Sequence, residues 1–275
     1  MSDVTQTRNM AVFCDFENVA LGVRDAKYAA FEIQKVLERL LLKGSIVVKK
    51  AYCDWERYKE FKAPMHEAAF ELIEIPHVRQ SGKNSADIRM VVDALDLCYT
   101  KLHLDTFVII SGDSDFSPLV SKLRENNKVV IGVGVKQSTS DLLTANCDEF
   151  IFYDDLVRDA EKPNRSRRKA GTKKTAKKKT LQVELSEEEQ KIQDAMDLVV
   201  TTVKDLFRER GEMEKLWGSM VKQTLKRRRP GFNESYHGFS SFSKLLEEAQ
   251  KRKLLVLEAD EKSGGYVIKR VVAED

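Results

Sequence analysis

The segment Ser111-Gly112-Asp113-Ser114-Asp115-Phe116 places two carboxylates directly behind the apolar run Phe107-Val108-Ile109-Ile110. Four uncharged, β-prone residues predict a buried parallel strand, so both acids fall where that strand ends. In open α/β sheets, ligands bind beyond the carboxyl ends of the strands. Carboxylates crowded there repel one another and must be hydrated, protonated or bridged by a cation. A second run, Met10-Ala11-Val12-Phe13, opens in the same way onto Cys14-Asp15-Phe16-Glu17-Asn18. Two apolar strands that both end in acids predict a divalent-metal site.

Helix geometry adds a third acid. Stepping 100° per residue along the helix expected near 85–101, Asp87 alone among its acids falls within the apolar arc, which holds Ile88, Val91, Val92, Leu95, Cys98 and Tyr99. Asp93 and Asp96 fall on the polar arc with Arg89. An ionised carboxylate facing the protein costs several kcal/mol unless it is paired. Asp87 therefore either caps the helix or faces a cation, and the company of Asp15, Asp113 and Asp115 favours the cation.

Oxygen ligands without His or Cys select Mg²⁺ or Mn²⁺ over Zn²⁺. Carboxylates around one or two such ions leave positions for phosphate oxygens and water, the arrangement that supports phosphodiester hydrolysis. No Ser-His-Asp or Cys-His set competes. The loop Ser81-Gly82-Lys83-Asn84-Ser85 lacks the spacing of an ATP-binding loop, but its Lys83 is a candidate to neutralise a phosphate beside the metal. Ser111, directly behind the run Phe107–Ile110, is a further candidate for a supporting role.

These residues need a frame that brings strand ends together. From 10 to 153, apolar strand patterns alternate with helical ones: strands at 10–14, 46–52, 72–78, 107–111, 129–131 and 150–152, with helices near 28–43, 56–70, 85–101, 117–126 and 140–146. Such alternation predicts a mostly parallel sheet covered on both faces. Gly44 is expected to stop the 28–43 helix. Gly132 and Gly134 read as close packing, and Trp55 and Trp217 as core.

Residues 158–184 read as a flexible linker, with few apolar residues and dense positive charge. The net charge of +3 hides ten Lys or Arg and no acid between 162 and 179; without those ten, 37 bases face 44 acids. Such a run attracts polyanions without reading sequence. Beyond the linker, a capping box at Ser186, helices near 187–210, 214–228 and 240–252, and strands at 254–257 and 266–268 outline a winged helix. Its run Lys226-Arg227-Arg228-Arg229, beside Tyr236 and His237, is either a solvated helix end or a grip on phosphates.

The cysteines at 14, 53, 98 and 147 form no CxxC pair and no zinc spacing with the four His. They read as reduced core thiols in a cytoplasmic protein. The N-terminus lacks a basic-then-apolar signal, and no apolar run approaches the roughly 18 residues of a membrane span, so no membrane partner is expected.

The segments Cys14–Asn18, Gly82–Asp87 and Ser111–Phe116 resemble, in order, the three acidic motifs of the NYN domain, a PIN-like, LabA-type group of metal-dependent ribonucleases. The resemblance covers about residues 8–157. It implies a PIN-like three-layer α/β fold with a mostly parallel central sheet. It also implies Asp15, Asp87, Asp113 and Asp115 as catalytic, metal-holding acids, with Asn18 the polar partner of the first. Residues 185–273 are similar, less specifically, to the OST-HTH or LOTUS winged helix, an α+β module associated with RNA binding. The likeness lies in Trp217–Lys222, Arg229–Asn233, Phe239–Leu246 and Gly264–Ile268.

The expected function is a metal-dependent endoribonuclease acting on single-stranded or structured RNA. Lys173, Lys174, Lys177, Lys178 and Lys179 of the linker and Arg227, Arg228 and Arg229 of the winged helix would deliver the RNA. A homodimer through the first domain is also expected. A non-catalytic RNA-binding regulator with a vestigial metal site is the main alternative. An Asp-nucleophile phosphatase or a receiver fits less well: the phosphatase wants Asp at both 15 and 17, and position 17 is Glu.

Overall fold

The computed structural model describes residues 8–75, 85–158, 187–211, 215–260 and 264–272. It divides into two compact units, Met1–Lys173 and Lys174–Asp275. Lys83 and the linker lysines lie outside the described residues, as do Ser186 and its capping box.

The first unit is built on six parallel strands: β1 (Arg8–Asp15), β2 (Gly44–Cys53), β3 (Glu71–Glu74), β4 (Thr106–Ile110), β5 (Val129–Gly134) and β6 (Glu149–Phe152). Their order is β3-β2-β1-β4-β5-β6, and every adjacent pair is parallel. β4 is buried throughout and β1 from Met10 onward, which is why both read as apolar runs without alternation. Helices cover both faces. α1 (Phe16–Asp25), α2 (Ile33–Lys43) and the short α3 (Lys62–Glu67) share one core with Met10, Val12, Val108 and Ile131. α4 (Ser85–Thr100), α5 (Ser117–Glu125) and α6 (Asp141–Asn146) share the other with Ala11, Phe13, Phe107 and Ile109. This three-layer sandwich is the expected α/β architecture.

Three details depart from the sequence reading. β1 runs straight into α1, where no helix is expected before residue 28; the Asp15 carboxylate caps it by accepting from the Asn18 amide, so the site residues double as helix-start signals. Gly44 does end α2, but in extended backbone rather than a left-handed cap: a Cβ there would sit 2.3 Å from the Arg8 carbonyl oxygen. The helix expected over 56–70 shrinks to a 3₁₀ turn at Lys59–Phe61 and the two-turn α3. Gly132 and Gly134 are close-packing positions as expected, against Phe150 and Thr139. Trp55 is buried, with its indole N–H donating to the Ile73 carbonyl, whereas Trp217 is half-buried.

The second unit packs α7 (Glu187–Arg210), α8 (Gly218–Arg228) and α9 (Phe242–Lys251) with a three-stranded antiparallel sheet. The strands β7 (Leu216–Trp217), β8 (Leu255–Ala259) and β9 (Tyr266–Val271) lie in the order β7-β9-β8. β7 is a two-residue strand too short to announce itself in sequence. Ala195, Val199, Val203 and Leu206 of α7 are buried at helical spacing. All four cysteines are free, and Cys14, Cys53 and Cys98 are buried.

Candidate active site

Strand order reverses direction between β1 and β4, and that is where a doubly wound sheet opens a crevice at its carboxyl edge. Asp15 is the last residue of β1, and Ser111 follows β4. Their side chains meet: Ser111 Oγ donates to Asp15 Oδ2 at 3.0 Å, and the Asp113 amide donates to Ser111 Oγ at 3.2 Å. Asn18, in the first turn of α1, crosses back, its Oδ1 accepting from the Gly112 amide at 2.9 Å. Asp113 then caps the 3₁₀ turn Ser114–Phe116 by accepting from the Asp115 amide at 3.0 Å. Gly112 is required at this junction, because a Cβ would lie 2.3 Å from the carbonyl oxygen of Ser138.

The fourth acid arrives from α4. Asp87 sits in its first turn and is half-buried. Three helical starts, at α1, α4 and the turn before α5, thus surround the acids, and the partial positive charge of each offsets some of their repulsion.

The offset is incomplete. Asp15 is pushed up to about 7, first by burial, then by the charges of Asp87 and Asp113, although the Ser111 and Asn18 hydrogen bonds hold it down. Asp87 is pushed up to about 6 by burial and by Asp113, Asp115 and Glu17. Besides burial, then, each of the two acids senses other carboxylates of the cluster. Among the described residues no three His, Cys, Asp or Glu side chains close up into a formed ligand group. The donors fit a hard cation. They are oxygens, and the neighbouring thiols of Cys14 and Cys53 are kept protonated by burial, which raises both pKa values.

The sequence reading missed a cation beside the cluster. Arg57 Nη1 donates to Glu17 Oε1 at 3.3 Å, from a turn anchored by Trp55, whose amide donates to Glu74. Arg57 carries no motif, and only the parallel pairing of β1 with β2 brings it near Glu17.

Residues 9–154, just over half of the chain, match the NYN domain family. The chain belongs to the NYN family. The match spans β1 to β6 and includes all four acids, and the NYN fold is of the PIN-like nuclease type. Two similar proteins carry no assigned activity. An uncharacterized protein of Methanocaldococcus jannaschii is 27% identical over 120 residues, which cover 44% of this chain and 47% of that protein, so the chain spans about half the length of this curated relative. A crystal structure of a protein of unknown function from Vibrio parahaemolyticus is 26% identical, covers 57% of this chain and 98% of its own, and superposes with a TM-score of 0.49.

Arg227, Arg228 and Arg229 of the second unit are not equivalent. Arg228 Nη1 is held at 2.7 Å by Asp205, with 15% and 23% of the two side chains exposed. Arg227 is half-buried and bonds Thr224, while Arg229 is exposed. Tyr236 is 66% exposed, with Lys191 Nζ 5.1 Å from its ring centre, and the adjacent His237 donates from Nδ1 to the Lys191 carbonyl. Among the described residues no helix is long and apolar enough to cross a membrane.

Proposed function

We propose that this NYN protein is a divalent-metal-dependent endoribonuclease. Asp15, Asp87, Asp113 and Asp115 would hold Mg²⁺ or Mn²⁺, with Ser111 and Asn18 fixing Asp15 and the backbone that follows β4. The observation that carries the reading is the hydrogen-bonded junction of Asp15, Ser111, Asn18 and the Asp113 turn at the β1–β4 crevice, where Asp15 and Asp87 are raised first by burial and then by neighbouring carboxylates. A bound divalent ion would supply a lowered pKa for water and charge stabilisation at a phosphodiester. The chain's own groups do the rest. Ser111 and the Asn18 amide keep Asp15 oriented and favour its ionised form, and Arg57 is the described cation placed to meet a substrate phosphate when Glu17 releases it.

RNA is the substrate class that the NYN family supports. On this reading the basic run at 162–179, including Lys173, Lys174, Lys177, Lys178 and Lys179, concentrates RNA near the site. Lys83 neutralises a phosphate at its edge. The second unit acts as an OST-HTH/LOTUS-like winged helix, where exposed Arg229 contributes more than the tethered Arg228. Cytoplasmic residence and self-association of the NYN domain belong to the same proposal.

The deciding experiment incubates the full chain with single-stranded and structured RNAs in Mn²⁺, Mg²⁺ or EDTA, beside Asp113→Asn. Cleavage that needs the metal and vanishes in the variant is expected. Cleavage that survives EDTA or the variant overturns the site. That no three metal-ligating side chains among the described residues close into a group favours a second reading, an RNA-binding regulator, and binding without cleavage in every condition would establish it.

A further inference from the structure

α4 buries one face and leaves another bare. Met90, Ala94 and Cys98 are fully packed, whereas Ile88, Val92 and Tyr99 are 62%, 56% and 58% exposed. With half-buried Leu95 they follow one another at spacings of four, three and four, and Leu102, 83% exposed in the turn beyond, continues the series. That 4-3-4 spacing is the one along which two helices pair, and the exposure of Ile88, Val92 and Tyr99 shows that the sheet does not cover it. Charges flank it asymmetrically. Arg89 stands near the start of the seam and Asp96 near its end, both exposed, with Arg89 reaching Asp93 on its own helix.

We infer that this face pairs with the α4 face of a second copy of the chain, antiparallel, about a two-fold axis. Antiparallel pairing sets Val92 against the partner's Leu95 and Ile88 against the partner's Tyr99. It brings Arg89 toward the partner's Asp96 at both ends, so one sequence supplies both halves of each ion pair. A parallel pairing would instead face Arg89 with Arg89 and Asp96 with Asp96. The self-complementary charge is what commits the seam to a second copy; an isologous contact requires such complementarity. Asp87, one residue before Ile88, then lies opposite the far end of the partner's α4. At about 1.5 Å per residue the two acid clusters are offset by roughly 20 Å along the helix axis. A dimer of this form presents two clusters to one RNA.

The inference gives a surface to the self-association proposed above, and it can fail without the nuclease reading failing, because association is measured without RNA or metal. Sedimentation velocity of the full chain across a hundredfold concentration range is expected to resolve a monomer–dimer equilibrium. Val92→Asp, at an exposed position, should weaken dimerisation more than tenfold while circular dichroism stays unchanged. Arg89→Asp and Asp96→Arg should each weaken it, and the double exchange should restore most of it. A chain that stays monomeric throughout overturns the proposal. So does a dimer indifferent to Val92→Asp, or one whose two charge variants fail to compensate. Loss of RNA binding in Val92→Asp without any change in association would reassign the face to RNA.

Discussion

Ser111 Oγ donates to Asp15 Oδ2 at 3.0 Å, and that buried bond ties the end of β4 to the end of β1 across the point where strand order reverses. The same hydroxyl accepts from the Asp113 amide, so one side chain fixes two of the four acids. Removing it leaves a buried carboxylate short of a donor, which costs about 1–3 kcal/mol. Ser111→Ala should therefore lower the melting temperature by several degrees. It should also move the acidic limb of metal-dependent cleavage to higher pH, since the bond holds the Asp15 pKa down. A pH–rate profile read beside a melting curve separates the two effects.

Stability should run against the usual acid trend. Asp15 near 7 and Asp87 near 6 both stand above the ordinary carboxylate value of 3.8. Between about pH 4 and pH 7 the folded chain thus holds more protons at these positions than the unfolded chain, and stability falls as pH rises through that window. In EDTA, the NYN unit should melt several degrees higher near pH 5.5 than near pH 8, and Asp15→Asn should flatten most of that slope. Mn²⁺ should raise the melting point more at pH 8, where protons no longer compete for the carboxylates. Differential scanning calorimetry across pH with and without metal reads all three.

Gly112→Ala tests the junction itself. A Cβ 2.3 Å from the Ser138 carbonyl oxygen meets backbone, which cannot rotate away, so either the 135–140 segment or the start of the Asp113 turn must shift. A loss of about 1–3 kcal/mol is expected. Cleavage should fall by more than the stability loss explains, because Asn18 and Ser140 both bond the Gly112 backbone. Activity measured well below the melting point makes the distinction; full activity there would separate this contact from catalysis.

How far the sequence foretold this arrangement differs from residue to residue. β1 and β4 were legible because strands buried on both faces carry uninterrupted apolar runs, and their acids stand out as the first charges after them. α1 was not, because Asp15, Glu17 and Asn18 look like a ligand loop and the capping geometry that makes them a helix start is invisible without coordinates. On α4 the helical wheel singles out Asp87, which the structure leaves half-buried, but it overstates the packed face. Met90, Ala94 and Cys98 reach the sheet, while Ile88, Val92 and Tyr99 do not. The wheel also assigns Asp93 to the solvent side, whereas its side chain is only 12% exposed and accepts from Tyr52 and Lys50 of β2. Periodicity ranks apolar residues along one helix and knows nothing of the partner strand.

Arg57 offers the last test, and one that conservation of charge does not pass automatically. Its guanidinium stands on a turn held by Trp55 and reaches Glu17 beside Asp87. A planar fork recognises a phosphate bidentately, whereas an ammonium acts as a point charge. If Arg57 meets RNA phosphate, Arg57→Ala should raise KM for short RNAs about tenfold or more, with Arg57→Lys recovering only part. Glu17→Gln, which frees the guanidinium, should lower KM. The salt slope of RNA binding should shrink by about 0.7 for one lost single-strand phosphate contact. The 51% exposed arginine contributes little to stability through a surface ion pair, so melting points should barely move. An unchanged KM in Arg57→Ala at low salt would leave the pair with Glu17 as a surface contact and remove Arg57 from the substrate path.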